Sequence, residues 1–110
     1  MDDCAFLFSE CENIIHIDLS LFDPSEITDM RNMFYNCSNL KSINFANFNS
    51  NKLKNMSKMF YGCTHLTELK FSYFNTINFT DMSEMFSYCG IKEIKFPTLN
   101  SVNLKNKKNV

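Results

Sequence analysis

The chain has 110 residues, 45% of them apolar, and a formal net charge of −1. That balance gives no general electrostatic case for nucleic acid or anionic membrane as partner. No apolar run approaches the roughly 20 residues a bilayer-spanning helix needs, and Met1-Asp2-Asp3 is acidic where the basic start of a signal peptide would stand.

In chain order, the first recognisable element is Asp3-Cys4-Ala5-Phe6-Leu7-Phe8-Ser9-Glu10-Cys11, a worn copy of a stretch that returns three more times. It recurs as Asp29-Met30-Arg31-Asn32-Met33-Phe34-Tyr35-Asn36-Cys37, as Asn55 to Cys63, and as Asp81 to Cys89, each time 26 residues on. A period of that length is the mark of a stacked-repeat architecture. Within each copy the Met-x-x-Met-Phe spacing predicts a helix of about two turns with its apolar side chains on one face. Asp3, Asp29, Asn55 and Asp81 stand at its N-cap. Asp81 with Glu84 resembles a capping box, and Asn36 and Gly62 stand where a left-handed residue ends a helix.

After each cysteine comes an apolar triplet: Ile14, Ile17, Leu19; then Leu40, Ile43, Phe45; then Leu66, Leu69, Phe71; then Ile91, Ile94, Phe96, with one residue missing after Cys89. The alternation in His16-Ile17-Asp18-Leu19 and Glu68-Leu69-Lys70-Phe71 predicts a strand with one wet face. Four such strands, one per coil, would stack as a parallel sheet. Phe22, Phe48, Phe74 and Leu99 follow, and then Ile27, Leu53, Phe79 and Leu104. Pro97 marks the last strand as an edge, since proline cannot donate to a ladder. The expected domain is therefore 1–104, with coils starting near Phe8, Phe34, Phe60 and Phe86 behind a partial N-terminal helix, and 105–110 is a basic tail.

The pattern M-F-x-x-C-x-x-L-x-x-L-x-L/F, running from Asp3 to about Leu104, resembles the BspA-like leucine-rich repeats. It is most similar to the 26-residue repeat of bacterial and mycoplasma surface lipoproteins, and Phe74-Asn75-Thr76 and Asp81-Met82-Ser83 fit that repeat letter for letter. The resemblance implies a non-enzymatic, often surface-displayed or secreted module for adhesion or protein binding, with no catalytic residues to carry over. The expected fold is a short right-handed α/β leucine-rich solenoid, with a parallel sheet of about four strands on one face and short helices on the other.

The candidate functional residues follow from that arrangement. Outward strand positions His16, Asp18, Asn44, Glu68, Lys70, Glu93 and Lys95 form the candidate binding face, the surface that stacked-repeat proteins commonly use. The competing reading is an ordinary solvated face, because it lacks the aromatic anchor that binding hot spots favour. Phe6 and Phe8 at one end, and Ile94, Phe96 and Leu99 at the other, are candidates for end-to-end stacking, since neither end shows a polar capping repeat. Cys11, Cys37, Cys63 and Cys89 form a column. A metal or redox site is one reading, but metal ligands must converge on a point, so a structural role as small soft side chains is the expectation. His16 and His65 read as surface and turn histidines, because no third group recurs to orient a Cys–His pair. The sequons at Asn36, Asn55 and Asn78 are expected by chance in so Asn-rich a chain. The chain is expected to bind a protein partner or to self-associate through its ends, without a cofactor, catalysis, nucleic acid or a membrane span.

Overall fold

The computed structural model describes residues 3–45, 52–71 and 82–91. Three short strands, β1 (His16–Asp18), β2 (Ser42–Phe45) and β3 (Glu68–Phe71), form one parallel sheet in the order β1-β2-β3. The register steps by 26 residues: His16 pairs with Ser42, and Ser42 with Glu68. The sequence period is thus the spatial period. Each repeat lies on the next with equivalent residues in contact.

The Met-x-x-Met-Phe stretches are not helices, and among the described residues there is none. Each stretch is a run of tight turns. In the second copy the N–H groups of Met33, Tyr35 and Cys37 bond the carbonyls of Met30, Asn32 and Phe34, three residues back. The N–H groups between them leave the repeat: Met30, Asn32, Phe34 and Asn36 donate to Asn55, Ser57, Met59 and Tyr61 of the next one. An α-helix would spend every N–H on the carbonyl four residues back, so half of this bonding is incompatible with it. Backbone dihedrals agree. Asn32, Asn36, Lys58, Glu84 and Tyr88 have φ of 54–57°, and Gly62 has φ 76°, the left-handed third position of a type II turn.

The expected α/β leucine-rich solenoid with a helical face and four strands is therefore corrected: turns replace the helices, and three strands are described. Glu93–Phe96, where the fourth strand was expected, and the tail 105–110 lie outside the described residues. Spacings of three and four residues report which side chains point inward. A turn pair that puts Met30, Met33 and Phe34 on one side satisfies the same spacing. The cap residues keep their chemistry in the new setting. The side-chain oxygens of Asp3, Asp29 and Asn55 accept the N–H of Ala5, Arg31 and Ser57 at 2.7–3.0 Å. These are Asx turns, which need no helix to follow. Glu84, read as the second member of a capping box, itself sits at φ 54°. A Cβ added at Gly62 would lie 2.0 Å from the Asn36 Oδ1, so a larger residue there requires the Asn36 side chain to swing away.

The core runs along the stack in columns. Met30, Met33, Leu40, Met56, Met59 and Leu66 are fully buried. Phe8, Phe34, Phe60 and Phe86 form a continuous ring stack with centroids 5.4, 5.6 and 5.4 Å apart and planes within 10°. Offset-stacked rings at this separation add stability beyond the area they bury.

Candidate binding surface

The register assembles two rows across the sheet, His16–Ser42–Glu68 and Asp18–Asn44–Lys70. His16, Asp18, Asn44 and Glu68 are exposed, while Ile43 between them is buried. This is the one-sided alternation the sequence predicts. His16 Nδ1 and Ser42 Oγ are hydrogen-bonded at 2.7 Å. The Asp18 carboxylate accepts the Ser20 N–H at 2.9 Å, and bonds from the Ser20 hydroxyl and N–H hold its carboxyl below the ordinary carboxylate range. Together these residues border an open depression of about 310 Å³ lined by His16, Asp18, Ser42, Asn44 and Glu68. The structure thus brings His16, Asp18, Asn44 and Glu68 of the candidate face together and sets Lys70 beside Asn44 by register. Glu93 and Lys95 lie outside the described residues.

The cysteine column has a defined role. Cys37 donates its thiol hydrogen to the Phe8 carbonyl at 3.0 Å, and Cys63 donates to the Phe34 carbonyl at 3.1 Å. Each of those carbonyls also accepts the N–H of the cysteine in its own repeat, so the thiol fills the second lone pair of an oxygen inside the core. Cys4, Cys11, Cys37, Cys63 and Cys89 are free thiols. Burial pushes the Cys37 thiol up to about 11 and raises Cys63 further. These are the opposite of the depressed values of reactive cysteines. His65 does not pair with Cys63: its Nδ1 engages the Ser38 carbonyl at 2.7 Å and the Thr64 hydroxyl at 3.3 Å.

Of the candidate end residues, Phe6 is exposed, whereas Phe8 is half-buried against Phe34; Ile94, Phe96 and Leu99 lie outside the described residues. Two features went unread in the sequence. Tyr35 stacks on Tyr61 at 5.1 Å, and Tyr88, from the neighbouring repeat position, meets Tyr61 edge-on at 5.3 Å. The signal was available, since Tyr35 and Tyr61 are 26 residues apart. The second is a shallow hollow of about 410 Å³ beyond the cysteine turn, bordered by Glu12, Asn39, Lys41 and His65, where the Asn39 amide donates to the Glu12 carbonyl at 2.8 Å.

A fixed 26-residue pitch, side-chain columns in register and main-chain bonds running from repeat to repeat define a repeat protein. Over residues 2–110 the sequence matches the family described as "Mycoplasma protein of unknown function, DUF285". The chain belongs to that family. No curated protein and no solved structure matches it. Among the described residues no helix is long and apolar enough to cross a membrane.

Proposed function

We propose that this chain is a non-catalytic repeat module that binds a protein partner through its sheet face, in adhesion or surface recognition. The observation that carries this reading is the register: it lines up exposed polar side chains from three repeats around one open depression. A face built this way holds its groups at fixed spacing on strands whose other side is core. A partner therefore meets a pre-organised surface and less of the contact is lost to ordering. The resemblance to BspA-like surface repeats supports the same reading. The charged residues here are mixed in sign, with Asp18 and Glu68 on the same strands' face as Lys70 by register, so the matching partner surface is also polar and mixed in sign.

The test is binding of the chain to immobilised extracellular-matrix proteins and to cultured epithelial cells. A double variant, Asp18→Lys with Glu68→Lys, should lower binding at least tenfold while leaving the circular dichroism spectrum unchanged. Equal binding by the variant and the parent chain removes the sheet face from consideration.

A further inference from the structure

Tyr35 and Tyr61 stand at equivalent positions of the same turn in the second and third repeats. The Tyr35 N–H bonds the Asn32 carbonyl, and the Tyr61 N–H bonds the Lys58 carbonyl. Next to Tyr35 the Asn36 N–H donates to the Tyr61 carbonyl at 2.7 Å, so the two backbones are tied together beside the rings. The rings stack with centroids 5.1 Å apart and planes 15° from parallel. The Lys58 Nζ lies 5.8 Å from the Tyr61 centroid and 3.7 Å from the Glu84 carboxylate, which holds a cation against that ring. Both rings are half-buried. Each is fixed by packing and still reachable from solvent.

The oxidisable groups of these two repeats single out the same pair. The chain has no tryptophan. Met30, Met33, Met56 and Met59 are fully buried. Cys37 and Cys63 are also buried, and burial raises both thiols, away from the thiolate form that oxidants attack first. The stacked phenols are left as the reachable one-electron donors. Burial, then the neighbouring Tyr88 and Tyr35, raise the Tyr61 phenol, so at neutral pH it loses its proton together with the electron.

We propose that Tyr35 and Tyr61 are an oxidative modification site, where a one-electron oxidant of the peroxidase and hydrogen peroxide class joins the two rings as dityrosine. Each phenol gives up one electron and its hydroxyl proton. The two phenoxyl radicals form one C–C bond between the carbons ortho to their oxygens. Each of those carbons then releases its hydrogen while its phenolic oxygen regains one. The pair has lost two hydrogens in all, and one hydrogen peroxide has become two waters. Stacking turns the encounter of two radicals into a step within one molecule. Near-parallel rings bring their ortho edges together by a small slide. Tyr88 is one residue off the 26-residue period and meets Tyr61 at 71°, so the same bond to it needs one ring to turn over. The product is a covalent staple between neighbouring repeats. It closes a loop in the unfolded chain and so favours the folded state.

The test treats the dilute full-length chain with a peroxidase and limiting hydrogen peroxide. Dityrosine fluorescence should appear in the monomer fraction. Tryptic digestion should then yield peptide 32–41 joined to peptide 59–70, lighter than their sum by two hydrogens. The urea midpoint of the joined chain should rise. Tyr35→Phe should abolish the monomeric product, Tyr88→Phe should retain it, and the urea-unfolded chain should give about tenfold less, since it lacks the preformed pair. Four results would each overturn the proposal: coupling only between chains, joining of 59–70 to the peptide 71–92 instead, oxidised cysteine or methionine with both tyrosines intact, or an equal yield from the unfolded chain.

Discussion

Single residues carry much of the order here, and the thiols show how. The cysteine column was legible in the sequence as a structural feature, because four thiols spread along a stack cannot converge on one ion. What the sequence could not show is that each buried thiol completes a carbonyl of the preceding repeat, since that contact lies 29 residues away. The burial has a measurable consequence. The Cys37 thiol rises from an ordinary 9.0 to about 11. Between those two values the unfolded chain binds fewer protons than the folded one, so stability falls as pH rises through this window. It is complete below pH 9, and the loss is up to about 1.4 kcal/mol per pH unit for a thiol of this kind. The urea midpoint should therefore drop between pH 9 and 11, and drop less steeply in Cys37→Ala. A midpoint flat across that range would mean that the thiol is wet. The left-handed residues were legible only in part. Asn36 and Gly62 are types that tolerate positive φ, but Lys58 and Glu84 at φ 54–55° give no such warning.

At the scale of elements, the strands were readable and the helices were not, for a physical reason. Alternation in His16-Ile17-Asp18 fixes a one-sided strand because a period of two has few other solutions. A Met-x-x-Met-Phe spacing fixes only a common face, and hydrogen bonds to the next repeat decide which backbone carries it. The phenylalanine stack joins these elements. Phe34 has a ring on each side at 5.4 and 5.6 Å, whereas Phe8 has a stacked ring only on the Phe34 side among the described residues. Phe34→Ala should therefore cost about 3–5 kcal/mol, the usual range for a buried phenylalanine. Phe8→Ala, starting half-buried, should cost roughly 1–3 kcal/mol. Urea denaturation of the two variants checks the ratio. Equal losses would show that the stack is not the unit that stabilises the turns.

For the whole molecule, the 26-residue period was the most legible fact and the partner the least, because columns that build a core repeat in sequence while a binding face is free to vary. Stacked repeats draw stability from nearest neighbours, so protection should follow position in the stack. In the second junction the Asn32, Phe34 and Asn36 N–H groups lie between repeats that each have a further neighbour. In the first junction the Phe6, Phe8 and Glu10 N–H groups belong to a repeat whose Phe6 and Leu7 side chains are about half exposed. Local opening free energies range from about zero at fraying edges up to the global value in the core. Amide hydrogen exchange in dilute solution should therefore be fastest at Phe6, Phe8 and Glu10 and slowest at Asn32, Phe34 and Asn36. Uniform exchange across both junctions would mean that the chain opens as one unit. In that case the first edge would be as stable as the middle, and fraying would be no part of how this face is presented to a partner.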